Sequence, residues 1–282
     1  MRLIDRWVGI PLCFFASFWP LKKAQADSNS TLATNIPPPD TIVFILIAEI
    51  GALVVAYPAI KETRKQHPKS RICFITAPAG LQTLELMGFE KEDIFLLETS
   101  SIKSLLKGIV NIRSHFKGKR VSAIVLEPFT RFSTLLSAWI GASKRIGCYR
   151  FLNEGVYLGN ILTHRLVYNP HLHVSQTYFA LAKALIEPDS AKPLLKEYIP
   201  TQIKNRLKIN IPEKERQTLM KRLQSECPEN PLKKIILLNA NTSDIVPLRK
   251  WPLENFVELG KQLLENSEFT VVLTGSPEEK DV

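Results

Sequence analysis

IVFILIAEIGALVVAYPAIKETRKQHPKSRICFIT, residues 42–76, decides how the rest of this chain is read. It opens on six consecutive apolar residues, mostly β-branched, as a strand buried on both faces requires. A helical stretch with Val54, Val55 and Ile60 follows, runs into Lys61–Lys65 and stops before Pro68. RICFIT (71–76) is then a second buried strand. Strand, helix, strand in about 35 residues is a parallel unit with a right-handed crossover.

The alternation continues outward. IFLLE (94–98), a helix from Ser101, VSAIVLE (121–127) and a helix through FSTLLSAWIGA (132–142) extend it into a doubly wound α/β domain over 41–195. A second alternation begins at about residue 200: a charged helix near 213–225, IILLN (235–239), a helix over 252–266 and FTVVLT (269–274). Leu253, Phe256, Val257, Gly260, Leu263 and Leu264 share one face of that last helix, which predicts docking on the sheet. Two strands make too small a sheet for a finished domain, so 200–282 is expected to be incomplete.

Before residue 41 the chain has a different character. Residues 1–24 carry an apolar segment, Trp7 to Trp19, between Arg2 and Arg6 on one side and Lys22 and Lys23 on the other. Thirteen residues are too few to cross a bilayer as a helix, which needs about 20. Trp at both edges and flanking cations suit a peripheral position at a membrane surface. The alternatives are a signal peptide cut after Ala24-Gln25-Ala26 and an ordinary core helix. QADSNSTLATNIPPPD (25–40) reads as a polar tether stiffened by prolines.

The chain of 282 residues is 45% hydrophobic, with 37 Lys and Arg against 27 Asp and Glu, a net charge of +10. This excess favours anionic partners, but the cations are scattered and not interleaved with aromatics, which argues against nucleic acid. The four cysteines form no C-x-x-C pair, so neither a disulfide framework nor a zinc site is expected. His171 and His173 have no acidic or third histidine partner at usable spacing, and no metal is expected.

Two strand ends carry the chemistry. In ILLNANTSDIVPLRKWPLENF (236–256) the apolar run stops at Asn239 and the helix begins near Pro252. About a dozen residues intervene where ~2–6 are usual. They lie beyond the carboxyl end of a strand, where open α/β sheets bind ligands. Thr242, Ser243, Arg249 and Lys250, with the free N–H groups of the helix start, suit a diphosphate; the other reading is a solvated loop. At the end of the first strand Gly51 permits close approach of a ligand, and Glu49 is the acid placed to act as a base. One glycine does not make the G-x-G-x-x-G of a dinucleotide site, which leaves an oxidoreductase as the weakest reading. Arg131 faces either an anionic acceptor or Glu127.

The segments LIAEIGALVVAYPAIKETRKQHPKSRICFIT, LEPFTRFSTLLSAWIGASKRIGCYR, HRLVYNPHLHVSQ, NTSDIVPLRKWPLENFVELGKQLL and VVLTGSPEE together resemble glycosyltransferase family 9, the lipopolysaccharide heptosyltransferase family. The resemblance spans 41–282, and its most specific elements are R-x-W-P followed by T-G-S-P-x-E. It implies two Rossmann-like domains of the GT-B type. It also implies an inverting sugar transferase with no cofactor, a nucleotide-sugar donor on the second domain and an anionic, lipid-linked glycan acceptor on the first. Residue by residue, it implies that Thr242 and Ser243 contact the donor diphosphate and that Arg249 stands for a phosphate-binding lysine. Glu279, with Glu278 as rival, would reach the ribose. Two departures stand out. The family's Gly-Asp after the first strand is Gly51-Ala52 here, which leaves Glu49 as substitute base and opens the alternative of a non-catalytic nucleotide-sugar-binding relative. The family's later Asp-Ser/Thr-Gly-x-x-His segment is not reached before Val282.

Overall fold

The computed structural model describes residues 5, 7–18, 38–47, 50–128, 130–150, 156–187, 207–226, 234–240 and 250–275. The chain divides into two units, Met1–Ile209 and Asn210–Val282.

In the first unit the apolar run becomes β1 (Thr41–Ile45), every residue of it buried. β2 (Arg71–Thr76) and β4 (Val121–Val125) flank it, with Phe44 opposite both Phe74 and Ile124. β3 (Ile94–Leu96) pairs with β2, β5 (Lys144–Arg150) with β4, and β6 (His164–Val167) with β5. The spatial order is β3-β2-β1-β4-β5-β6 and every neighbouring pair is parallel. This is the doubly wound dinucleotide-fold order, whose direction of winding reverses between β1 and β4.

Side chains alternate across the sheet with a period of two. Ile42, Phe44 and Leu46 join one core cluster with α2 (Ile50–Gln66), α3 (Leu81–Leu86) and α6 (Val174–Lys183). Val43, Ile45 and Ile47 join the other, with α4 (Ile102–Phe116) and α5 (Arg131–Trp139). Small residues let α2 and α6 approach: Ala52, Ala56 and Ala59 on one side, Ala180 and Ala182 on the other. Ser101 caps α4 by accepting from the Ser104 amide at 3.1 Å. His173 caps α6, its Nδ1 accepting from Ser175 N while its own amide donates to Gln176 Oε1. His173 is therefore a helix cap.

The N-terminal segment forms α1 (Gly9–Phe18). It packs against α5 and the 157–160 stretch instead of standing apart from the domain. No helix among the described residues is long and apolar enough to cross a membrane.

In the second unit the described residues form α7 (Glu213–Glu226), β7 (Lys234–Leu238), α8 (Leu253–Leu264) and β8 (Phe269–Leu273). β7 and β8 are parallel, with Lys234 opposite Phe269 and Leu238 opposite Leu273. The expected docking of α8 is only partial. Phe256, Gly260 and Leu263 are half-buried, whereas Leu253, Val257 and Leu264 keep 43%, 49% and 59% of their surface. The stripe is present, but the two strands offer too little surface to cover it. No described residue of this unit is buried. Pro252 precedes the first helical residue as the cap of α8, with backbone angles of −54° and 140°.

Candidate functional site

The winding reversal between β1 and β4 opens a crevice at their carboxyl ends, the usual ligand position in such sheets. Glu127 lies at these strand ends. Its Oε1 accepts from the Ile47 amide at 2.9 Å and its Oε2 accepts a short hydrogen bond from Ser133. One carboxylate thus ties the end of β1 to the first turn of α5. From sequence alone Glu127 is expected only as a partner for Arg131. An acid two residues beyond a fully buried strand beside the reversal is the available signal, of the same kind that singles out Glu49.

Arg131 is at this crevice, with its side chain only 11% exposed. Its guanidinium is engaged: Nε donates to the Tyr157 carbonyl at 3.0 Å, and Nη1 to the carbonyl and carboxylate of Asp5 at 3.3 Å each. The other Asp5 oxygen accepts from the Phe132 amide at 2.9 Å. Asp5 therefore does at α5 what a capping aspartate does, satisfying a free N–H and meeting the positive end of the helix. Gly51 lies exposed in the first turn of α2, and a Cβ there would have nothing within 4 Å. Ala52, where the resemblance implies an aspartate, belongs to the core instead. Glu49 lies outside the described residues.

In the second unit, parallel pairing has a direct consequence. Asn239 and Ala240 leave the carboxyl end of β7, and Thr274 and Gly275 leave the carboxyl end of β8, on the same edge of the sheet. Thr274 seals that edge, its amide donating to the Leu238 carbonyl at 2.9 Å. The long polar loop and the T-G-S-P segment therefore start side by side. Thr242, Ser243, Arg249, Glu278 and Glu279 lie outside the described residues. Lys250 is exposed, and the next residue, Trp251, sets its ring edge-on to Phe256 at 4.8 Å between centroids. The aromatic pair anchors the end of the loop to α8.

Among the described residues no group of three His, Cys, Asp or Glu is placed to hold a metal ion. The thiols of Cys13, Cys73 and Cys148 are buried, and burial pushes them up to about 11, 12 and 12. Buried and protonated, they are poor nucleophiles.

No protein-family model and no curated protein matches the sequence. Solved structures do match in fold. The glycosyl transferase family 9 structure from Veillonella parvula superposes with a TM-score of 0.62 at 18% identity, over 86% of this chain and 64% of that one. The E. coli ADP-heptose LPS heptosyltransferase II gives 0.60 at 18% identity, over 86% of this chain and 66% of that one. The E. coli heptosyltransferase WaaC with ADP-2-deoxy-2-fluoro heptose gives 0.57 at 14%, covering 71% of its length. The chain thus spans less than two thirds of the length of the first two. At these identities the likeness carries the fold: this is an α/β chain built as those glycosyltransferases are.

Proposed function

We propose that the protein is an inverting glycosyltransferase of the family 9 type, moving a heptose-like sugar from a nucleotide-activated donor to a cell-envelope glycan such as the lipopolysaccharide core. The observation that carries this reading is the shared edge of β7 and β8. Two segments that leave the sheet at Asn239 and Thr274, about 35 residues apart in sequence, begin next to each other at the carboxyl end of a parallel sheet, in a fold shared with ADP-heptose-dependent enzymes.

In this reading Thr242, Ser243, Arg249 and Lys250 hold the donor diphosphate and Glu279 the ribose. Charge-assisted hydrogen bonds stabilise the leaving group, so no metal is required. The acceptor hydroxyl enters at the crevice between β1 and β4, where exposed Gly51 leaves room. Glu49 takes its proton as the oxygen attacks the anomeric carbon, opposite the departing nucleoside diphosphate. Arg131 belongs to the wall of this crevice, and an anionic acceptor reaches its guanidinium only in exchange for Asp5. The acceptor is lipid-linked, and the protein works peripherally at the inner face of the cytoplasmic membrane, through residues 1–24.

Ala52 supports a second reading, a nucleotide-sugar-binding relative without turnover, because the position of the family's aspartate is filled by a core residue. Presenting ADP-, GDP- and UDP-sugars to the protein with a lipid-linked acceptor separates the two. Binding with product formation and inversion at the anomeric carbon is expected. Binding without product selects the second reading, and binding of none overturns both.

A further inference from the structure

The amphipathicity of α1 is inverted. The face turned to the protein carries Gly9, Cys13 and Ser17, four residues apart and so in one row along the helix. The face turned to solvent carries Ile10, Leu12, Phe14, Phe15 and Phe18, between 43% and 74% exposed, with Trp7 just ahead of them at 73%. A helix that only completes a core places its aromatics inward. Here the rings pack on one another outside, Phe14 against Phe15 at 5.7 Å and against Phe18 at 5.0 Å.

The inner face is closely fitted. At Gly9 a Cβ would press on Arg131 Cδ at 2.8 Å; at Gly159, φ +60°, it would strike the Cys13 carbonyl at 2.6 Å. Ser17 Oγ donates to the Cys13 carbonyl at 2.7 Å and accepts from the Asn160 amide at 2.9 Å. Asp5 fixes the other end through Arg131 and the Phe132 amide. Between β5 and β6 the described residues include no helix, and α1 lies against this connection.

Resting on the peripheral-membrane part of the reading above, we propose that α1 is a rigid lipid-facing plate, clamped to α5 and the 157–160 stretch, that lays the side of the first unit carrying the β5–β6 connection against an anionic bilayer. The occupant is lipid for three reasons. The exposed face is aromatic and aliphatic without a charge of its own. Arg2, Arg6, Lys22 and Lys23 bracket it in sequence, in a chain of net charge +10. And ten helical residues span about 15 Å, half a hydrocarbon core, so the helix lies in the interface and does not cross it. Because the plate is clamped, orientation is fixed: the β5–β6 connection lies on the lipid side, and β3 lies at the other end of the sheet, five strand spacings from β6, about 24 Å.

The test uses the full chain with Cys227→Ser, in which the buried thiols of Cys13, Cys73 and Cys148 stay unlabelled, and one added cysteine: Tyr157→Cys beside the plate or Lys91→Cys near β3. Each carries a fluorophore and is mixed with vesicles of phosphatidylglycerol and phosphatidylcholine containing a spin-labelled lipid. Flotation with strong quenching at position 157 and none at 91 is expected. Flotation with equal quenching overturns the clamp but leaves the membrane reading, as a loose tether would. Absence of flotation overturns both, and a concentration-dependent dimer in its place assigns the plate to a second copy. Phe15→Glu, on the outer face, should lower vesicle partitioning about tenfold or more while leaving Cys13 protected from alkylation in peptide mapping. Unchanged partitioning overturns the proposal. Asp5→Ala should keep flotation, equalise the quenching and expose Cys13.

Discussion

β1 and β7 are both five-residue apolar strands in parallel sheets, and in sequence they look alike: TIVFI and KIILL. In the fold they differ. β1 has a strand on each side and helices over both faces, and none of its residues is accessible. Among the described residues β7 has one neighbour, and its Leu237 keeps 65% of its surface. An apolar run therefore specifies strand conformation, while burial depends on how many layers the rest of the chain supplies. That separates the two units: the first holds its own fold by packing, and the second presents a sheet edge and a helix stripe with little beneath them.

The largest effect should come from the centre of the first unit. Phe44 is wholly buried and stacks on Phe74 at 5.2 Å between centroids. Phe44→Ala should cost about 3–5 kcal/mol, transfer and cavity terms together. Leu237→Ala should cost under about 0.5 kcal/mol, as exposed sites do. Urea unfolding followed by peptide-resolved hydrogen exchange reads both. Equal losses would mean that β7 is covered in solution and would end the contrast.

Next comes Arg249, whose assigned work is binding and not stability. Arg249→Ala should weaken nucleotide-sugar affinity by about 1.5–3 kcal/mol, the value of a charge-assisted hydrogen bond to phosphate. Calorimetric titration reads this, with the unfolding midpoint unchanged. Unaltered affinity returns the 240–251 loop to a solvated surface.

Asp5 tests whether α1 belongs to the first unit energetically. Asp5→Ala removes the cap of α5 and the partner of a nearly buried guanidinium, and should cost about 1–2 kcal/mol. Arg131 keeps its bond to the Tyr157 carbonyl, so the loss is not that of a fully orphaned charge. An unshifted midpoint would show that the contact contributes nothing to stability.

How far sequence reaches into this fold follows the same divide. β1, β2 and β4 were legible because strands covered on both faces are continuously apolar. β5 and β6 were not. KRIGCYR opens on two cations and HRLV on His and Arg, yet Lys144, Arg145 and His164 are buried. Carbonyls brought from elsewhere make this possible. Lys144 donates to those of Leu185 and Glu187, Arg145 to that of Ile161 at 2.6 Å, and His164 Nε2 lies 3.0 Å from that of Glu187. No local pattern announces such partners. The candidate site divides similarly. Strand ends named Glu49, Gly51 and the 240–251 loop, whereas the Asp5–Arg131 pair joins residues 126 apart and could come only from the fold.

The smallest effect concerns the opposite end of the first-unit sheet. His67 follows α2, and its Nε2 is buried without a hydrogen-bond partner. Burial, and then the nearby Lys144 ammonium, hold its pKa below the ordinary 6.5. Folding therefore favours the neutral ring, while the unfolded chain takes up a proton more readily. Where the unfolded state binds more protons, stability rises with pH. The stabilisation is complete above about 6.5, is lost as pH falls from there towards the folded pKa, and then levels off. His115 is shifted in the same direction by burial, then Lys119 and Arg71, so it adds to the slope. His67→Gln should flatten the stability profile between neutral pH and the onset of carboxylate titration without abolishing it, as read by the urea midpoint at successive pH values. Because no histidine lies in Asn210–Val282, hydrogen-exchange protection in that unit, corrected for the intrinsic pH dependence of amide exchange, should stay level over the same range. A matching decline there would mean that the two units share one unfolding transition.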